Sequence, residues 1–258
     1  MSATPSNVRV FLSRDSKQAA KFTEPLKNEP CEIFSVPVIE TELWKREENV
    51  QFLNRLNEYD WLFFTSAKGV RFFYETITWL GYGSIDLSDK KIAAVGTGTA
   101  AEIEKKGLTV HFIPSTFDAE HMGEEFLEVD IPKKVLLIKG ELSRTIIDEK
   151  FERQQFSFEN MYVYRTVINY SAQKQLNELY EEQPFDYYVF TSPSSIHAFF
   201  TLLEQTPKEI YEKSCFCIGA TTQEKALQTG FTKTYVPEKY TLRGLSKRVK
   251  QVLEEESK

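Results

Sequence analysis

Hydroxyl-bearing residues recur in this chain where an apolar run gives way to a helical pattern. The junctions are Thr65-Ser66-Ala67-Lys68, Gly96-Thr97-Gly98-Thr99, Thr191-Ser192-Pro193-Ser194-Ser195 and Gly219-Ala220-Thr221-Thr222. A helix N-terminus carries unpaired N–H groups and a partial positive charge. Small hydroxyl residues there either cap the helix or join its N–H groups in holding an anion. Ser66, Thr97, Thr99, Ser192, Ser194, Thr221 and Thr222 are therefore candidate anion-binding residues. Lys139 in "LLIKGELSR" and Arg14 in "FLSRD" also follow apolar runs, as does Arg144. Their charges suit carboxylates, or are solvated surface charge if nothing binds. Tyr164, in "YVYRTV", is either an ordinary strand aromatic or a phenol that hydrogen-bonds a reacting group.

Other chemistries lack their residues. Gly96-Thr97-Gly98 has no third glycine to complete a dinucleotide fingerprint, and no Gly-Lys-Ser/Thr phosphate loop is present. His111, His121 and His197 show no metal-ligand spacing. No zinc site is expected from them. No Gly-x-Ser-x-Gly elbow stands out. Cys31, Cys215 and Cys217 lie in apolar, strand-like surroundings and read as reduced core thiols of a cytoplasmic protein. A net charge of -6 argues against a nucleic-acid partner, and means that an anionic ligand must be held by local donors. No apolar run approaches the ~20 residues that span a bilayer, so no membrane partner is expected. The opening "MSATPSNVRVFLSR" has no secretory pattern.

The elements that must position these residues repeat. "YDWLFFTSAKGVRFFYETI" matches "FDYYVFTSPSSIHAFFTLL", with Ser66 and Ser192 126 positions apart. "KKIAAVGTGTAAEIEKKGLTVHFIPST" matches "KSCFCIGATTQEKALQTGFTKTYVPEK"; the pairs Gly96/Gly219, Gly107/Gly230 and Pro114/Pro237 are each 123 apart. Short β-branched and aromatic runs at 8–12, 31–36, 60–64, 91–95, 109–112, 134–138, 160–166, 186–190, 214–218 and 233–236 alternate with amphipathic helical runs. The runs are apolar nearly throughout, as parallel strands covered on both faces must be. The expected fold is α/β: two similar doubly wound parallel-sheet domains, one inserted in the other. The first takes residues 1–36 plus 170–258 and the second 39–164, with linkers at about 36–39 and 164–169 that pair as a two-stranded β-ribbon. A cleft between the domains is the expected ligand site.

The set "VFTSPSSIHAFF", "CIGATTQEKALQTGF", "FFTSAKGVRFF", "AAVGTGTAAEIEKKGL", "LLIKGELSR" and "VYRTV", in this arrangement, resembles the uroporphyrinogen-III synthase family over about residues 8–250. The resemblance implies a substrate, hydroxymethylbilane, that is a linear tetrapyrrole with eight carboxylates. It is closed to uroporphyrinogen III with loss of water and inversion of ring D through a spirocyclic intermediate, without metal or cofactor. Tyr164 matches the family's tyrosine that assists departure of the hydroxyl. Thr99 and Thr222 match family threonines at helix openings, and Ser66 and Ser192 match the hydroxyl turns. Lys139-Gly140 stands where many members carry Arg-Gly, which keeps the charge but loses bidentate geometry. A monomer is expected, with a transient contact to the enzyme that supplies hydroxymethylbilane. The alternative is a two-domain binding or sensor protein for small anions, without catalysis.

Overall fold

The structure, a computed structural model, describes residues 7–115, 125–126, 128–143 and 145–256, with Lys17 and Gln18 described by backbone only. His121 and Arg144 lie outside the described residues. The chain divides into two compact units. An outer unit takes the chain up to Glu40 and again from Val167, and an inserted unit runs from Thr41 to Thr166.

The outer unit holds a five-stranded sheet in the order β10-β9-β8-β1-β2. These strands are Lys233–Tyr235, Ser214–Cys217, Tyr187–Phe190, Val8–Leu12 and Cys31–Ser35. All four pairings are parallel. Strand residues alternate between the two faces. Phe11, Tyr188, Phe190, Cys215 and Cys217 join one cluster, with Leu176, Ile196 and Phe199 from covering helices. Val10, Leu12, Tyr187, Val189 and Phe216 join the other, with Phe22, Leu245 and Val249. Both faces are therefore apolar, which explains the unbroken hydrophobic strand sequences.

The inserted unit holds the order β3-β7-β6-β4-β5: Ile39–Leu43, Phe158–Ile168, Val135–Gly140, Trp61–Phe64 and Lys91–Ala94. The pairings β4–β5, β4–β6 and β6–β7 are parallel. The run at 109–112 forms no strand of its own; it contributes one parallel bridge, Ala93 to Phe112. Trp61 and Lys91 are both tied to Asp130, through bonds of 2.9 and 2.6 Å that hold its carboxyl below the usual range.

Of the segments read as linkers, 164–168 is strand, whereas in 36–39 only Ile39 is. β7 continues unbroken through the boundary between the units. Trp44 N donates to Val163 O and Asn169 N to Val38 O, so β3 and β7 run antiparallel.

Helices follow the strands: α1 Ser16–Thr23, α2 Asn49–Asn54, α3 Ala67–Trp79, α4 Thr97–Glu104, α5 Ile146–Arg153, α6 Gln173–Glu182, α7 Pro193–Leu202, α8 Ala220–Thr229 and α9 Leu242–Glu256. The repeat is visible in backbone detail. Gly107 after α4 and Gly230 after α8 both have positive φ, at 79° and 120°. That conformation closes a helix at little cost only for glycine. Among the described residues, no helix is long and apolar enough to cross a membrane.

Candidate active site

Each sheet reverses direction of winding at one place. In the outer unit β1 lies between β2 and β8, so the helices after β1 and β8 depart on opposite faces. In the inserted unit β6 and β4 occupy the corresponding positions. The carboxyl ends of strands at such a switch point form a natural crevice. Ser66 and Tyr164 stand at one of these places and Arg14, Ser192 and Ser194 at the other; the threonine pairs follow β5 and β9.

At the inserted unit's switch point stand Ser66, Gly140 and Tyr164. Ser66 is in extended conformation and caps α3: Gly69 N donates to its Oγ at 3.0 Å. Its Oγ is also 3.2 Å from the Tyr164 hydroxyl. Either hydroxyl can donate in this contact; when Ser66 donates to the phenol oxygen, the phenol proton is left for a third group. The Tyr164 ring is stacked on Phe72 at 5.4 Å and 29°. A register shift between Lys139 and Gly140 sets Tyr164 opposite Gly140. A Cβ on Gly140 would lie 2.4 Å from that ring. The glycine is therefore the space into which the tyrosine fits, a role that Gly140's position after Lys139 did not disclose in sequence.

Lys139, a candidate for binding carboxylates, is buried and already paired within the unit. Its side chain is 2% exposed and its Nζ lies 2.5 Å from Asp148 Oδ2 on α5. Asp148 Oδ1 accepts a further bond, at 2.6 Å, from Asn160 Nδ2. A buried ammonium needs such a partner, and the carboxylate nine positions on supplies it.

At the outer unit's switch point the Ser192 turn meets the end of β1. Ser192 and Ser195 form a reciprocal capping box, in which Ser195 N donates to Ser192 Oγ at 3.1 Å and Ser192 N to Ser195 Oγ at 3.3 Å. Ser194 Oγ is 3.0 Å from Ser192 Oγ. Arg14 Nε donates to Thr191 Oγ1 at 2.9 Å. Burial holds the Arg14 guanidinium below the usual arginine range, against the opposing pull of Asp15. Thr191, which sequence reasoning left as part of the turn, is what orients Arg14. Replacing Ser192 with alanine is expected to lower the outer unit's stability by about 1 kcal/mol. Urea unfolding followed by far-ultraviolet circular dichroism reads this; an unchanged midpoint would make the cap energetically silent.

The glycine junctions differ from the serine ones. Gly96 and Gly219 take extended φ of -171° and -168° and provide no side-chain cap. The first N–H groups of α4 and α8 are thus left for another acceptor. Thr97 and Thr221 are exposed beside them, whereas Thr99 and Thr222 are turned inward, at 7% and 2% exposure. The N–H groups of these two threonines close the first turn, Thr99 N donating to Gly96 O at 3.0 Å and Thr222 N to Gly219 O at 3.1 Å. Among the described residues, no group of three or more His, Cys, Asp or Glu is placed to hold a metal ion.

The arrangement is thus one phenol–hydroxyl pair in the inserted unit, one guanidinium–hydroxyl group in the outer unit, and two open helix N-termini. Comparisons with known proteins agree on one family. The family model described as uroporphyrinogen-III synthase HemD matches residues 20–247. A putative uroporphyrinogen-III synthase of Methanocaldococcus jannaschii is 26% identical over 92% of this chain and 96% of its own length. The porphyrin biosynthesis protein HemD of Ruminiclostridium josui is 25% identical over 84% of this chain, but the match spans only 43% of that protein. Among solved structures, uroporphyrinogen-III synthetase from Helicobacter pylori is similar with a TM-score of 0.62 at 18% identity, over 95% of this chain and 99% of that one. A mutant uroporphyrinogen III synthase from Thermus thermophilus gives 0.57 at 19%, over 96% and 99%. At these identities the structures establish the shared fold. The extent of the family match establishes membership: the chain belongs to the uroporphyrinogen-III synthase HemD family.

Proposed function

We propose that this protein is a uroporphyrinogen-III synthase, a hydro-lyase that closes hydroxymethylbilane with inversion of its terminal ring. The observation that carries the reading is the Tyr164 phenol, held 3.2 Å from Ser66 Oγ at the inserted unit's switch point, in a chain of this family. In the first step the C–O bond of the hydroxymethyl group breaks. Tyr164 donates its proton to the departing oxygen, which leaves as water, and the pyrrole N–H of the same ring returns a proton to the phenolate. The product is an azafulvene. It attacks the substituted α-carbon of the terminal ring, and the spirocyclic product fragments and recloses in the inverted sense. Charge on the substrate, about -8 from its carboxylates, calls for local donors of the kind each unit carries: in the inserted unit the open N–H groups after Gly96 and the exposed Thr97, in the outer unit Arg14, the half-buried Ser194, the open N–H groups after Gly219 and the exposed Thr221. Holding the substrate in one curled geometry is the larger share of the task, because closure without inversion proceeds unaided.

The test is to supply freshly generated hydroxymethylbilane and resolve the isomers after oxidation to porphyrins. Isomer III is the expected product. Formation of isomer I alone, at the unassisted rate, would leave the binding-protein alternative in its place.

A further inference from the structure

A basic groove at the outer unit's edge belongs to none of the residues above. The loop after β10 and one face of α9 enclose a cavity of about 560 Å³. Lys239, Arg243, Lys247 and Arg248 line it, against the one carboxylate of Glu238. In a chain of net charge -6 this is a concentrated reversal of sign. Arg248 is held in place over the Tyr235 ring at 5.1 Å, with Gln251 at 3.1 Å and Glu255 at 3.8 Å. Lys239, Arg243 and Lys247 are exposed, and among the described residues none of the three has an ion pair.

The position of the groove connects it to the site. Every strand of this sheet is parallel, so the turns after β8, β9 and β10 open on the same edge. The groove opens after β10, next to the Gly219 turn. The Tyr240 ring rests on Gly219, where a Cβ would lie 3.2 Å from it. The loop carrying Lys239 is therefore packed against the open N-terminus of α8.

The spacing selects the ligand class. Arg243 and Lys247 stand one turn apart on the same face of α9, about 6 Å along its axis. A single phosphate requires convergent donors. Cations dispersed along a helix face and a facing loop suit several separate carboxylates on flexible arms. Resting on the function proposed above, we infer that Lys239, Arg243 and Lys247 form a side-chain subsite for carboxylates of the tetrapyrrole, extending the backbone donors of the Gly219 turn.

The probe is uroporphyrin III, with eight carboxylates, titrated into the full chain by fluorescence quenching at low salt. Coproporphyrin III, with four, is the second arm, and inorganic phosphate the competitor. The variant Arg243→Gln/Lys247→Gln is expected to raise the uroporphyrin Kd about tenfold. It should also narrow the preference for uroporphyrin over coproporphyrin and flatten the salt dependence. The control Lys208→Gln/Lys233→Gln removes two exposed charges elsewhere on the same unit. It should change Kd less than about twofold. Both pairs lie at the surface, and circular dichroism checks the fold. An Arg243→Gln/Lys247→Gln variant that binds like wild type, or a wild type that binds no uroporphyrin, overturns the subsite. Equal competition by low-millimolar phosphate would overturn it in favour of a phosphate site. Isomer III formation measured in parallel separates the failures: its absence in wild type sinks the proposed function, whereas its presence with an unaltered KM in the variant sinks the groove alone.

Discussion

Tyr164→Phe is expected to lower the rate of isomer III formation about a hundredfold, the range for losing a positioned proton donor. The change removes one oxygen. The ring stays stacked on Phe72 and stays seated in the space left by Gly140. Ser66 keeps its cap on α3 through Gly69 N. Substrate binding should therefore persist, with kcat falling far more than KM rises. The isomer ratio supplies a second reading. Substrate that waits in solution closes unaided, so isomer I should grow at the expense of isomer III. A variant with wild-type kcat would remove the phenol from the reaction and leave Tyr164 as packing. Gly140→Ala is a poor substitute for this experiment, because its Cβ would meet the ring at 2.4 Å and move the whole tyrosine.

The second large effect concerns stability. Lys139→Met leaves Asp148 buried, 12% exposed, with Asn160 as its remaining partner. Stranding one member of a buried pair costs about 3–5 kcal/mol. For a unit of this size that lowers the melting temperature by about 10–20 °C. The measurement is favoured by where the tryptophans lie. Trp44, Trp61 and Trp79 are the only three in the chain, and all fall within the inserted unit. Tryptophan fluorescence therefore reports that unit alone. Replacing both partners, as Lys139→Met/Asp148→Leu, should recover most of the loss, since an apolar pair of similar volume does not require compensation. If Lys139→Met instead keeps its melting temperature and raises KM, the lysine binds substrate after all and the buried-pair account fails.

Strand positions were legible because parallel strands with both faces covered are apolar throughout, as in Trp61–Phe64 and Tyr187–Phe190. The repeat was legible because the glycines and hydroxyl turns recur at fixed separation, and Gly107 and Gly230 indeed share positive φ. The burial of Lys139 was not legible, for a definite reason. Its charge was visible, but its partner Asp148 lies in the following helix, and burial is a property of the packed unit rather than of either residue. Thr99 and Thr222 were legible as helix openings, but their inward orientation depends on the helix phase against the sheet. The run at 109–112 has strand composition yet makes one bridge, because only Phe112 comes beside Ala93. The basic groove was hidden for the opposite reason. Lys239, Arg243 and Lys247 look like ordinary surface charge until the loop after β10 folds against α9.

One feature of the sheet order bears on how the protein is made. β1 is a central strand of the outer unit, flanked by β2 and by β8, and Val10 lies opposite Tyr187. During synthesis β1 and β2 therefore emerge early with one long apolar edge unpaired. The inserted unit, contiguous from Thr41 to Thr166, holds its sheet within itself except for the first two residues of β3 and the last two of β7, and can condense while the outer unit waits. Translation at about 5–20 residues per second leaves that edge without β8 for many seconds. The loop to be closed costs little extra for its length, since closure entropy grows only with its logarithm. The hazard is kinetic: a nascent two-stranded edge able to pair with another nascent chain, a vulnerability set by the insertion and absent from the finished protein.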